Sequence, residues 1–212
     1  MKKIFVSAVL MLAFHNPGFG GELYGIEFPD QIQFEGQKLP LHGMGLRSVQ
    51  RFGFKVKVYV IGLYLPEVLK ADLKSKDKAV KGKESKEAKK SGEKSGVFSE
   101  NSYPKVFRMV FKRGVDSEDI EKGWKESFKK NCAPDCEAEE AKLKKFNGMM
   151  SDMRSDQSIE VVVYKDKVHV DVKGRKPAKG SIEGERFARI IENIWLGPYP
   201  PNQELKDGLL GK

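Results

Sequence analysis

The chain has 212 residues, and 39 Lys and Arg against 30 Asp and Glu give it a formal charge of +9. That charge is local: residues 70–96, KADLKSKDKAVKGKESKEAKKSGEKSG, hold ten Lys against five acids and no aromatic that could stack a base, so a nucleic-acid binder is excluded. Only two cysteines occur, Cys132 and Cys136, with no CxxC spacing and no neighbouring His, which excludes a zinc finger and a disulfide-dense scaffold.

Lys2 and Lys3 precede an apolar run from Ile4 to Phe14. Eleven helical residues span about 16 Å, roughly half of a ~30 Å hydrocarbon core. The run is therefore expected to be a secretory signal, residues 1–20, with the cut after Gly18-Phe19-Gly20. The mature part, residues 21–212, is expected to be one exported domain without a transmembrane segment, periplasmic or extracellular. The Lys-rich stretch at 70–96 reads either as a flexible solvated insertion or as a contact for an anionic membrane surface.

In chain order, Leu23–Phe28 and Gln31–Phe34 alternate as strands about a Pro29-Asp30 turn, and Glu35-Gly36-Gln37 reverses the chain. Phe54–Leu65, FKVKVYVIGLYL, is the strongest strand signal, with Val56, Val58 and Val60 on one face and Lys55, Lys57 and Tyr59 on the other. From Ile61 the run is apolar throughout, which predicts cover on both faces. Lys105–Val115 is a further strand. Asp116 or Ser117 can cap a helix whose buried stripe is Ile120, Trp124 and Phe128. A second helix is predicted from about Asp135 to Gly148, with Ala138, Ala141, Leu143 and Phe146 inward. Ser158–Val172 reads as a hairpin turning at Lys165-Asp166, Gly184–Trp195 as a helix, and Gln203–Leu210 as a short terminal helix. Strands that enclose a helical pair, with no repeating βαβ rhythm, predict an α+β fold. In an oxidising compartment Cys132 and Cys136, either side of Pro134, can pair and staple two helices; two free thiols are the alternative.

Chemical motifs are sparse. Gly43-Met44-Gly45 reads as a glycine turn but does not make a phosphate loop, and neither HExxH nor GxSxG occurs. No metal and no cofactor are expected. His169 reads as a surface strand residue, while His42 either approaches a pocket or has no role in one. Tyr199, between two prolines, is expected to pack a terminal turn.

Four blocks in order, LHGMGLR at 41–47, FKVKVYVIGLYLP at 54–66, GWKESFKKN at 123–131 and GSIEGERFARIIENIWLGPYPPNQELKDGLLG at 180–211, resemble a bacterial, exported chalcone isomerase-like domain. The resemblance spans residues 23–211 and takes the Lys-rich stretch as a variable insertion. It implies an open-faced β-sandwich, a large antiparallel sheet packed on a layer of helices with a ligand cleft between them. Arg47 matches the arginine of that cleft, which serves the reacting phenolate in the enzymes and the carboxylate in fatty-acid-binding relatives. Tyr59 falls where the enzymes carry a threonine and where fatty-acid binders have a tyrosine nearby. The enzymes' remaining polar set falls on Asp116, Gly123 and Ile194, which cannot reproduce it, so chalcone cyclisation is not expected and no catalytic residue is assigned.

The expected function is non-catalytic binding of a small apolar carboxylate such as a fatty acid. Arg47 and Tyr59 would hold the head group, because a guanidinium fork and a neutral phenol are both donors to a carboxylate. Trp195 either lines the cavity or anchors the core. A structural or partner-binding protein without a small ligand and an isomerase- or lyase-like enzyme are the alternatives.

Overall fold

The structure, a computed structural model, describes residues 19–67 and 102–212. The apolar core of the expected signal and the Lys-rich stretch lie outside the described residues. β1 (Phe19–Leu23) pairs antiparallel with β2 (Ile26–Pro29) as a separate two-stranded sheet. Seven strands form the main sheet in sequential order, every neighbouring pair antiparallel. They are β3 (Gln31–Phe34), β4 (Gln37–Arg51), β5 (Phe54–Tyr64), β6 (Lys105–Phe111), β7 (Ser158–Val163), β8 (Lys167–Lys173) and β9 (Ala178–Glu183). The helices are α1 (Ser117–Cys132), α2 (Glu137–Asn147), α3 (Glu185–Leu196) and α4 (Gln203–Leu209). A large antiparallel sheet with helices packed on it is the α+β architecture expected, and none of the described helices is long and apolar enough to cross a membrane.

Three corrections concern the N-terminal half. The expected strand Leu23–Phe28 is split, because Tyr24 and Gly25 take φ of 52° and 74° and make a two-residue hairpin turn. The segment around Gly43-Met44-Gly45 is no turn but the middle of the 15-residue β4. Its glycines let α4 lie on the strand backbone: a Cβ on Gly45 would sit 2.3 Å from the Leu205 carbonyl oxygen, and one on Gly43 2.4 Å from that of Gly208. Side chains there would push the terminal helix off the sheet. Finally, β4 and β5 slip register between Arg47↔Tyr59 and Ser48↔Lys57, leaving Val58 as an extra residue. Alternation is broken at that bulge. Tyr59 then turns to the helical side with Ile61 and Leu63, while Val60 joins the opposite face.

Both faces of β5 are indeed covered. On one, Ile61, Leu63, Phe107 and Val161 pack beneath the helix stripes Ile120-Trp124-Phe128 and Phe187-Ile191-Ile194. On the other, Val60, Tyr64, Val106 and Val162 pack against Ile26 and Phe28 of the β1–β2 hairpin. Phe28 is pressed onto Gly62, where a Cβ would come within 2.7 Å of its ring.

The helices obey their periodicity with local exceptions. Ala138 and Ala141 of α2 are exposed, and Glu139 is buried instead. Its carboxylate is held by Lys142 at 2.9 Å, which keeps the burial tolerable. At the start of α1 neither Asp116 nor Ser117 caps with its own side chain. The Ser117 N–H donates to Asp152 Oδ1 at 3.0 Å, a cap supplied from 35 residues away, and that bond holds the Asp152 carboxyl below its usual range. Cys132 and Cys136 are paired in a disulfide between α1 and α2.

The strand that begins at Lys105 carries an unforeseen feature. Lys105 is fully buried, and its Nζ lies 3.0 Å from Glu192 Oε2 on α3, itself almost fully buried. The geometry is off the hydrogen-bond line, so the attraction is charge on charge. Tyr103 donates its O–H to the same oxygen at 2.9 Å and lays its ring 3.8 Å from the ammonium. Burial lowers the Lys105 pKa, with Glu192 opposing.

A cavity between the sheet and helix α1

Where β4, β5 and β6 pass beneath α1 and the end of α3, they enclose a cavity of about 550 Å³ that opens to solvent. This size lies within the ordinary range for small-molecule sites, roughly 300–1,000 Å³. Its apolar wall is formed by Met109, Phe111, Ile120, Trp124 and Ile194, all buried. The sheet supplies Met109 and Phe111 because alternate residues of a strand share a face, and α1 supplies Ile120 and Trp124 at a spacing of four. The mouth carries exposed charges of both signs, Arg51 from β4, Arg113 from the segment after β6, and Asp116, Asp119 and Lys122 at the start of α1.

Arg47, Tyr59 and Trp195 all line this cavity. Arg47 and Tyr59 are directly opposed across β4 and β5, at the edge of the bulge. Arg47 Nη1 donates to the carbonyls of Ser48 (2.7 Å) and Pro201 (3.1 Å). Carbonyls orient the guanidinium without cancelling its charge. The Tyr59 ring is tilted against Phe111 at 5.8 Å, and its oxygen accepts a hydrogen bond from Trp195 Nε1 at 3.4 Å. Burial raises the phenol pKa, with the Trp195 hydrogen bond and the Arg47 charge opposing it. Tyr59 therefore stays protonated near neutral pH and keeps an O–H to donate.

Trp195 meets both expectations at once. It is fully buried, stacks on Phe107 at 4.5 Å, meets Trp124 edge-on at 5.4 Å, and still borders the cavity. Asp116, Gly123 and Ile194, the positions that depart from the enzymes' polar set, also line it. An exposed carboxylate, a glycine and an alkyl group furnish no network for polarising a ketone there.

Other candidates fall elsewhere. His42 sits in β4 beside the second register shift of the β4–β5 pair and is not among the residues lining the cavity. His169 Nδ1 lies 3.0 Å from Ser181 Oγ on the neighbouring β9, as a strand residue would. Tyr199 does not pack its turn; its ring is exposed, and its carbonyl accepts a hydrogen bond from Asn131. Arg51 and Arg113 were missed in the sequence. For Arg51 a signal existed: it is four residues from Arg47, an even spacing that shares a strand face, whereas Arg113 lies beyond the end of β6. Among the described residues, no group of three or more His, Cys, Asp or Glu is arranged to hold a metal ion.

Comparison with known proteins agrees with this architecture. No curated protein matches the sequence. Among solved structures, a fatty-acid binding protein of Arabidopsis thaliana superposes with a TM-score of 0.63 at 19% identity, over 88% of this chain and 92% of that one. At that identity the likeness is one of fold. The family model described as chalcone isomerase-like matches residues 20–87 and 84–211, nearly the whole sequence after the N-terminal apolar run, and the chain belongs to that family.

Proposed function

We propose that the protein binds a small apolar carboxylate, such as a fatty acid, without chemically transforming it. The observation that carries this reading is the cross-strand pair of Arg47 and Tyr59 on a cavity wall beside the buried apolar residues Met109, Phe111, Ile120, Trp124 and Ile194. The hydrocarbon tail would lie against Met109, Phe111, Trp124 and Ile194, each buried methylene contributing about 0.8 kcal/mol before the costs of association. The carboxylate would accept from the guanidinium and from the Tyr59 O–H, which remains a neutral donor. The fold shared with a fatty-acid binding protein supports the reading.

Replacing Arg47 by Ala is expected to weaken a long-chain fatty acid by about ten- to a hundredfold, the range for losing a charge-assisted hydrogen bond. A fatty alcohol of equal length should change far less. Titration of both ligands against both proteins, followed by Trp124 and Trp195 fluorescence, makes the comparison. Equal losses for acid and alcohol would remove the head-group contact from the proposal. Mass spectrometry of solvent extracts from natively purified protein identifies the carboxylate itself.

We further propose that the protein is exported by a bacterial cell, periplasmic rather than extracellular. The basic-apolar pattern of residues 1–14 supports this, as does the Cys132–Cys136 disulfide, a bond favoured in oxidising compartments. A cut after Gly20 leaves Gly21, Glu22 and Leu23 still opposed to Phe28, Glu27 and Ile26 in the β1–β2 pair. Intact-mass measurement of protein from the producing cell should then show a chain beginning at Gly21. A mass that includes residues 1–20 would refute export by cleavage.

A further inference from the structure

The β4–β5 ribbon outruns the rest of the sheet. Pairing of β5 with β6 ends at Tyr59↔Phe111, with a last bond from the Lys112 N–H to the Val58 carbonyl. Pairing of β5 with β4 continues to Arg51↔Phe54. The two strands therefore project as a prong, about 15 Å long at roughly 3.3 Å per residue. At its tip Phe52 is 90% and Phe54 74% exposed, the two most exposed large hydrophobic side chains among the described residues.

Phe52 is costly where it stands. Its φ is 51°, the left-handed region that a two-residue hairpin requires at its first central position and that Asn or Gly fills without strain. At 90% exposure the ring regains almost nothing within the chain. An aromatic in that position stabilises something only when it is buried against another body.

The surroundings say which body. Arg51, Lys55 and Lys57 lie along the prong and are exposed, with Lys112 and Arg113 at its base. Lys57 also places its ammonium 4.0 Å from the ring of Tyr24, the half-exposed aromatic of the β1–β2 turn, which brings a third aromatic to this end of the sheet. Lys55 is partnered by Glu204, and the acids Asp116 and Asp119, at the start of α1, line the same cavity as Arg51. Aromatic side chains ringed by cations are what an anionic bilayer surface takes: rings settle at the headgroup–acyl boundary while Lys and Arg meet the phosphates.

We infer that the β4–β5 hairpin is a membrane-docking element, inserting Phe52 and Phe54 into an anionic lipid surface. Arg51 belongs both to the prong and to the rim of the cavity, and Gln50 and Val49 line the same cavity. Docking therefore holds the cavity mouth close to the bilayer. Exchange of a lipid-derived carboxylate between membrane and cavity follows if the proposed ligand is correct; the docking itself does not depend on it.

The test uses the full mature chain, Lys-rich stretch included, and flotation with vesicles of phosphatidylcholine alone or mixed with phosphatidylglycerol. Binding is expected to the anionic vesicles and to weaken with salt. The double variant Phe52→Asn with Phe54→Ser should bind about tenfold more weakly or worse, since two aromatic burials are lost. Asn suits the turn, so this variant should fold at least as well. Neither residue lines the cavity, so affinity for a fatty acid in vesicle-free solution should be unchanged, which separates this proposal from the ligand reading. A Phe52→Trp variant adds an indole at the tip, and brominated lipids should quench the fluorescence that this indole contributes. The proposal falls if the double variant binds vesicles as the parent does, since residues 70–96 would then carry the attraction alone. It falls equally if the added fluorescence of the Phe52→Trp variant is not quenched, or if the double variant instead turns a dimer into a monomer in sedimentation.

Discussion

Replacing Glu192 by Ala is expected to cost about 3–5 kcal/mol of folding stability, because it strands the Lys105 ammonium in the core without its counter-charge. Lys105 is fully buried and Glu192 nearly so, so water cannot take the place of the missing carboxylate. The pH dependence has a definite sign. Burial holds the folded pKa of Lys105 below its unfolded value of 10.5, so between those two values the unfolded chain carries the extra proton. Stability contributed by this site therefore rises with pH through that interval. Loss of Glu192 lowers the folded value further and widens the interval. The deficit of the variant should thus be largest at low pH and shrink as pH climbs towards about 10. Urea denaturation at a series of pH values measures both quantities. Replacing the pair together, Lys105→Met with Glu192→Leu, should restore most of the loss, because well-packed apolar groups often equal a buried ion pair. A single variant as stable as the parent would mean that the ammonium reaches water.

Replacing Trp195 by Ala should be of similar size, about 3–5 kcal/mol, the usual cost of truncating a fully buried aromatic. The indole stacks on Phe107 and meets Trp124, so its removal opens a void between the sheet and both long helices. It also deletes the Nε1 donor to Tyr59. Trp195→Phe separates these effects. It should keep most of the stability while releasing the Tyr59 phenol from its partner, so any drop in affinity for an acid ligand reports orientation of Tyr59 rather than collapse of the core. Guanidinium denaturation and ligand titration on the same two variants give the comparison. A loss below about 1 kcal/mol for Trp195→Ala would contradict its place in the core.

The two residues act in different ways on the cavity. Trp195 forms part of the wall and fixes the phenol beside Arg47. Glu192 and Lys105 sit outside the cavity lining, but they join the start of β6 to α3, the two elements that also present Met109 and Ile194 to the cavity. Weakening that joint should loosen the site without touching it.

What the sequence by itself determined follows from short-range physics. The stripe Ile120-Trp124-Phe128, the turn at Lys165-Asp166, the helix over Gly184–Trp195 and the apolar stretch from Ile61 are set by a period of 3.6 or 2 and by local turn signals, and each is found where expected to within a residue. The chalcone isomerase-like pattern also put Arg47 and Tyr59 at one cleft before any distance was known, and left Trp195 between cavity wall and core. Tertiary structure alone decided the rest. A register slip at Val58 reverses the faces of the residues beyond it, and nothing in the local pattern marks it, because a bulge is a relation between two strands. The glycines of β4 are legible only against the backbone of α4, the cap on α1 only against Asp152, and the burial of Lys105 only against Glu192. In each case the partner is distant in sequence, and the free energy of the contact belongs to the pair.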